Sequence, residues 1–309
     1  MKRFALTGAA GYIAPRHMKA IKDTGNQLVA ALDPFESVGI IDSYFPEAEF
    51  FTEPEAFEAY LEESRANAGL DYVSIATPNY LHYPQIRMSL RLGADALCEK
   101  PLVLSEAELD RLAELEASTG HRVWTILQLR VHPALVELKR KLENDGGRKQ
   151  VSLTYVTGRG KWYLKSWKGD VKKSGGLATN IGVHFFDMLT WLFGDVQNLE
   201  VHARQDKIVA GYMDLERAGV SWFLAIDDSF VPAELRAKGQ RTYRSITVDG
   251  EEIEFSGGFT DLHTEVYRRT MAGQGFGLED TRQAIRTTEQ IRTFDLGGKA
   301  PRHPFLEKL

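Results

Sequence analysis

One feature near the start of the chain constrains its fold most. An apolar run, Arg3–Thr7, passes directly into Gly8-Ala9-Ala10-Gly11 and then into a helical pattern lasting to about Asp23. A strand that turns through glycine into a helix is the first half of a βαβ unit. The glycines let backbone approach a phosphate closely, and the amino end of the helix offers N–H groups with no partner inside the helix. A second apolar run, Gln27–Asp33, ends on an acid, where a carboxylate can accept both hydroxyls of a ribose. Strand, turn, helix and terminal acid together predict a dinucleotide cradle made by Gly8, Ala10, Gly11, Tyr12 and Ile13, with Asp33 as the ribose ligand. Asp33 would repel a 2′-phosphate, so the pattern favours NAD over NADP.

Short apolar runs alternate with helical patterns as far as about residue 125, the signature of a parallel sheet with crossover helices. Ala48–Phe51, Asp71–Ala76, Ala94–Cys98 and Arg122–Leu127 read as the further strands, and Thr52 with Glu55 and Ser105 with Glu108 as helix caps. Beyond Val131 the pattern changes. A helix is expected over Pro133–Leu142, a polar break at Asn144–Gly147, and strands at Gln150–Thr157, Leu199–Arg204, Ser221–Ile226 and Tyr243–Phe255. The last contains Asp249-Gly250, a hairpin signal. One helix, about Ala178–Phe193, interrupts the strands, and two more lie between Asp261 and Phe294. The expectation is an α/β dinucleotide-binding domain over residues 1–125, then an α+β domain over 126–309 with a mostly antiparallel sheet.

Composition excludes several classes. The 309 residues are 43% hydrophobic and 26% charged, ordinary for two globular domains. No stretch approaches the ~20 apolar residues of a membrane span. Met1–Gly8 runs straight into a strand and turn with no leader, and the single cysteine, Cys98, allows no internal disulfide, so a cytoplasmic enzyme is expected. A net charge of −5 gives no global attraction for nucleic acid. One cluster departs from this: Arg159, Lys161, Lys165, Lys168, Lys172 and Lys173, interleaved with Trp162, Tyr163 and Trp167. Such a cluster suits single-stranded nucleic acid, one nucleotide, an anionic substrate, or simply a solvated loop. No His-Glu-x-x-His or cysteine pair occurs, so no metal is expected.

In open α/β sheets, ligands collect beyond the carboxyl ends of the strands. Thr77-Pro78-Asn79-Tyr80-Leu81-His82 follows the fourth predicted strand, Glu99-Lys100-Pro101 the fifth, and Gln128 the sixth. A lysine directly after an apolar strand, if partly buried, has a depressed pKa and can polarise a hydroxyl or pass on a proton. The bland alternative is an ion pair with a surface acid. The spacing Gly8-x-x-Gly11-x-x-Ala14 also fits short-chain dehydrogenases, but those need a tyrosine with lysine four residues later, and no tyrosine here has one.

Together with Gly182-Val183-His184-Phe185-Phe186-Asp187, these strand-end motifs resemble the glucose-fructose oxidoreductase/inositol dehydrogenase family. The resemblance implies a Rossmann domain, a C-terminal domain with a large open-faced sheet, an active site between them, and a cis bond between Lys100 and Pro101. It implies that Lys100 and His184 assist hydride transfer from a sugar carbinol to the nicotinamide of NAD, and that Thr77, Asn79, His82, Glu99, Lys100, Gln128 and Trp167 join the turn in holding the cofactor. The chain departs from the family at Ala10, where glycine is more frequent, and at Asn180, where aspartate often precedes the histidine by four residues. Asn180, His184 and Asp187 share one helix face. An amide can orient an imidazole but cannot stabilise its charge. Which of Lys100 and His184 takes the proton stays open, as does whether Asp187 orients His184 or caps a neighbour.

Three longer strings, Gly11–His17, Thr157–Lys168 and Thr242–Val248, are similar to a branch of that family that oxidises C3 of a UDP-linked N-acetylglucosaminuronic acid. A diphosphate and a carboxylate both want guanidinium or ammonium partners. Arg159, Lys161, Lys165 and Arg244 are the candidates, with Tyr163 and Trp167 for sugar or nicotinamide packing and Lys100, Asn180 and His184 beside the sugar. The branch implies a homotetramer, 2-oxoglutarate as a co-substrate that reoxidises the cofactor, and a PLP aminotransferase as the next enzyme on a route to bacterial surface polysaccharide. Two alternatives remain: an inositol or free-sugar dehydrogenase of the same family, and a non-catalytic dinucleotide-binding regulator.

Overall fold

The computed structural model describes residues 1–67, 69–253 and 261–308. Two compact units emerge: Met1–Val131 with Thr260–Arg282, and His132–Phe259 with Gln283–Leu309. A single cut after residue 125 would leave the 260–282 stretch in the second domain, whereas it belongs to the first unit.

In the first unit, β1 (Arg3–Thr7), β2 (Gln27–Leu32), β3 (Glu49–Phe51), β4 (Tyr72–Ile75), β5 (Asp95–Cys98) and β6 (Val123–Thr125) form one sheet in the order β3-β2-β1-β4-β5-β6. Every pairing in it is parallel. The crossovers are α1 (Ala14–Asp23), α2 (Pro54–Asn67), α3 (His82–Arg91) and α4 (Glu106–Thr119). Consecutive residues such as Phe4, Ala5 and Leu6, or Ala96, Leu97 and Cys98, are all buried, as a sheet covered on both faces requires. The strand order reverses between β1 and β4, so their loops diverge and open the crevice where dinucleotides bind in such sheets. Strand ends fall within two residues of expectation. Ser105 caps α4 by accepting the Glu108 N–H at 3.3 Å, while the Glu108 carboxylate accepts the Leu104 N–H at 2.9 Å. The α2 cap differs: the helix starts at Pro54, so Thr52 lies one residue ahead of the cap position. Proline needs no donor in a first turn.

The second unit opens with α5 (Pro133–Glu143) and β7 (Lys149–Thr157), followed by the short helices α6 (Trp162–Lys165) and α7 (Val171–Ser174) and then α8 (Val183–Phe193). Next come β8 (Val196–Gln205), β9 (Ile208–Leu215), β10 (Ala218–Ala225), α9 (Ala233–Ala237), β11 (Thr242–Val248) and β12 (Glu251–Glu252). Helix α10 (Leu262–Met271) returns to the first unit and packs on α1, and α11 (Leu278–Thr293) follows it. The sheet runs β12-β11-β7-β10-β9-β8, antiparallel except where β7 meets β10. Asp249 and Gly250, at φ 51 and 86, make the expected hairpin turn; the end of the predicted strand at 254–255 lies outside the described residues. Strand β9 has no counterpart among the strands expected from the sequence. Gly211 interrupts its apolar pattern, and a Cβ there would lie 2.6 Å from the Trp222 ring, so the glycine makes room for the indole.

Helix α8 packs on one sheet face, with Phe186 edge-on to Trp222 at 5.2 Å and Phe185 against Tyr155 at 4.8 Å. A second apolar cluster, built on Val156, Ala203, Ala210 and Phe223, takes Phe305 and Leu306 from the carboxyl-terminal segment. No helix among the described residues is long and apolar enough to cross a membrane.

Candidate active site

The phosphate turn has the predicted form. Gly8 sits at φ +80, and a Cβ on it would meet the Ala76 carbonyl at 2.7 Å, so the turn presses against the end of β4 as only glycine can. The Gly11 N–H closes the turn on the Gly8 carbonyl at 3.0 Å, and the Gly8 and Ala9 N–H groups reach the Leu32 carbonyl at 2.9 and 3.2 Å. Asp33 is buried beside it. One carboxylate oxygen accepts the Ala10 N–H and the other the Phe35 N–H, both at 2.9 Å. These bonds anchor the carboxylate and leave each oxygen a lone pair for a ribose hydroxyl. The Ala10 N–H, which glycine would also supply, thus anchors Asp33. Tyr12 is exposed, and Ile13 occupies the cap position of α1.

The loops after β4 and β5 are braced by side chains, and here the structure redirects two expectations. The family resemblance implies His82 as a cofactor contact. It is buried between the two loops, with Nδ1 2.7 Å from the Pro101 carbonyl and Nε2 2.8 Å from the Thr77 carbonyl, and the neutral ring donates its one N–H to one of them. Burial lowers its pKa, against the pull of the two carbonyls. The resemblance implies the same of Glu99, yet its carboxylate points inward: Oε1 lies 3.2 Å from His17 Nε2 and 2.8 Å from His263 Nε2. Burial pushes its pKa up, but the two histidine hydrogen bonds outweigh that and hold it well below the usual carboxylate range. His17 Nδ1 meets the Tyr267 hydroxyl at 2.7 Å, which meets the Ser74 hydroxyl at 2.7 Å. His17, Glu99 and His263 are also the one group among the described residues whose ligand atoms all lie close enough, within 4.8 Å, to hold a metal ion. No spacing in the sequence announced it.

Between these braces lies Lys100, partly buried and joined to Pro101 by a cis bond. Asn79 is buried after β4, and Gln128 is partly buried in the turn after β6. Gln85 was missed: its Oε1 accepts the hydroxyls of Thr7 at 2.8 Å and Thr77 at 2.7 Å, tying the ends of β1 and β4. Burial pushes the Cys98 thiol pKa well up, in keeping with a packing role.

In the second unit His184 stands, partly exposed, in the first turn of α8. A regular helix was expected from Ala178; instead Ala178–Gly182 makes a π-helical turn, a widening common at functional sites. Asn180, on that turn, donates to the Tyr163 hydroxyl at 2.6 Å. Tyr163 is buried, and burial raises its pKa, opposed by that hydrogen bond and by Arg159. Asp187 is buried as well. Arg159, Lys161 and Lys165 are exposed. Trp167 carries the Lys168 ammonium over its ring at 4.3 Å. Arg244, paired with Tyr155 across β11 and β7, lies 5.5 Å over the Tyr155 ring. The basic segment is therefore a set of short helices rather than an open loop.

Residues 2–127 match the model of an oxidoreductase family described by its NAD-binding Rossmann fold, and residues 148–234 that family's C-terminal alpha/beta domain. The crystal structure of the WlbA (WbpB) dehydrogenase from Thermus thermophilus in complex with NAD and alpha-ketoglutarate is 67% identical, covers 99% of this chain and 100% of that one, and superposes with a TM-score of 0.96. A second structure of that dehydrogenase, in complex with NAD and UDP-GlcNAcA, is 66% identical over the same shares, again with a TM-score of 0.96. A putative UDP-kanosamine synthase oxidoreductase subunit from Amycolatopsis mediterranei (strain S699) is 28% identical over 246 residues, 74% of this chain and 68% of that protein. The sheet order, the glycine turn, the anchored Asp33 and both family matches agree: the chain belongs to the oxidoreductase family that joins an NAD-binding Rossmann fold to a C-terminal alpha/beta domain, and it is an NAD-dependent oxidoreductase.

Proposed function

We propose that this enzyme oxidises C3 of UDP-2-acetamido-2-deoxy-D-glucuronate (UDP-GlcNAcA) to the 3-keto sugar. The observation that carries the reading is the 66% identity, across 99% of the chain, to a dehydrogenase crystallised with NAD and UDP-GlcNAcA. Oxidation removes a hydride from C3 and a proton from its hydroxyl. NAD, when bound, accepts the hydride. The chain supplies the rest: Gly8 and the α1 amino end admit the diphosphate, Asp33 accepts the ribose hydroxyls, and Lys100 and His184 are the acid–base pair for the C3 hydroxyl. Arg159, Lys161, Lys165 and Arg244 are the proposed partners of the sugar's anionic groups, a set to which a neutral inositol offers nothing.

The same chemistry extends to cofactor renewal. The compound 2-oxoglutarate presents a ketone to the returning hydride and carboxylates to the same cations, and a dehydrogenase 67% identical to this chain binds it. The reading includes a homotetramer in the cytoplasm, with a PLP aminotransferase consuming the ketone. The test is a panel of UDP-sugars with and without the uronate carboxylate, each with free NAD alone and with 2-oxoglutarate alone. Turnover confined to the uronate, with 2-hydroxyglutarate as the second product, is expected. Equal turnover of a neutral UDP-sugar would overturn the substrate assignment; robust turnover on free NAD without 2-hydroxyglutarate would overturn the recycling step alone. Lys100→Met and His184→Asn are each expected to lower the rate at least about 10²-fold while retaining NAD.

A further inference from the structure

We propose that Glu99 is a positioning residue for Lys100, held from behind by His17 of α1 and His263 of α10. The inference rests on the reading in which Lys100 acts on the hydroxyl. The buried carboxylate gathers three N–H donors: His17 and His263 on Oε1 at 3.2 and 2.8 Å, and the Lys100 backbone on Oε2 at 3.3 Å. The network has one consistent direction. If His17 gives its Nε2 proton to Glu99, its Nδ1 accepts from the Tyr267 hydroxyl, which in turn accepts from Ser74. Each of these groups then has a partner while His17 stays neutral.

The titratable groups facing Glu99 are His17, His263 and Tyr267 from α1 and α10, Cys98 before it, and Lys100 and His82 beside it. Burial lowers the pKa of His17 and raises those of Tyr267 and Cys98, so these three stay uncharged. Glu99 is the anion of the set. It fixes the backbone of the residue after it, and its charge favours the ammonium form of Lys100. Helix α10 thereby serves the acid–base residue from more than 160 positions along the chain.

Glu99→Gln keeps the size, removes the charge, and turns an amide donor toward an N–H. In this variant kcat is expected to fall at least about 10-fold, with the Kd for NAD and the KM for the UDP-uronate within about 3-fold of the parent. A limb of the kcat/KM profile is expected to move to lower pH, because a neutral neighbour no longer favours the ammonium. Tyr267→Phe, which deletes the donor to His17 and the acceptor for Ser74 while leaving the Glu99 carboxylate in place, is expected to shift both readouts in the same direction to a smaller extent, and it carries the test if Glu99→Gln fails to fold. Parental kcat in the folded variant, or a reduced kcat with an unmoved profile, overturns the proposal. So does stoichiometric zinc in the purified protein after dialysis, because the trio would then be ligands instead of hydrogen-bond donors and acceptor. Near-parental rates in Lys100→Met would instead overturn the role of Lys100 itself, so the two failures are distinguishable.

Discussion

Asp33 and Glu99 are both acids at strand ends, and the chain uses them differently. Asp33 is anchored by the backbone N–H of Phe35, two residues on, and by that of Ala10 in the glycine turn. The proposed charge-assisted bonds of Asp33 to the ribose hydroxyls give a direct expectation. Asp33→Ala is expected to weaken NAD at least about 10-fold, in line with hydrogen bonds to charged groups, and to narrow the preference over NADP, since the repelling carboxylate is gone. Titration of the variant with both cofactors checks this; unchanged affinities would remove Asp33 from the ribose site. Glu99 faces inward because two histidines wait there, and one of them arrives on α10. His82 follows the same logic: its neighbours in sequence suggest a ligand, and its packing makes it a brace.

Among the elements, the β1–turn–α1 unit was the most legible, because glycine conformation and strand periodicity are both local. Gly8→Ala is expected to cost at least about 2 kcal/mol, since the left-handed conformation alone costs about 1–2 kcal/mol and the added methyl meets backbone of β4 that cannot swing away. NAD binding is expected to fall with it. Gly25→Ala is the control: it also lies at positive φ, +73, but has open space around it, so it is expected to cost about 1 kcal/mol and to leave NAD binding intact. Thermal unfolding with NAD titration separates the two. A Gly8→Ala protein with parental stability and affinity would overturn the close-approach argument. Asp249-Gly250 was equally legible. Strand β9 was not, because Gly211 answers to Trp222 on the next strand and not to its own neighbours.

At the scale of the whole molecule, buried titratable groups set the response to acid. Burial depresses the pKa of His17 and His82 below the usual 6.5. The unfolded chain therefore takes up protons first, and the stability these residues contribute, complete above that value, is lost as pH falls through the folded values. Glu99, depressed below 4.5, adds a loss of the same sign at still lower pH. The unfolding temperature is expected to hold steady above about pH 7, to decline below about 6.5, and to decline more steeply below about 4.5. A melting curve unchanged between pH 7 and 5 would show that these histidines are not buried neutral.

What the sequence by itself determined is what depends on residues close in the chain: the glycine turn, the acid at the end of β2, the alternation of strands with helices, the cap at Ser105 and the hairpin at Asp249-Gly250. Backbone dihedral preference and side-chain period act over a few residues, so they can be read in order. What only the tertiary structure decided is which polar groups meet. Gln85 answers to Thr7 from 78 residues away, Asn180 to Tyr163 from 17, and His263 to Glu99 from 164. A buried polar atom must find a partner, but which partner depends on how helices pack on the sheet. No local preference records that choice, and so the return of α10 to the first unit, with the support it lends Glu99, emerged only in the folded chain.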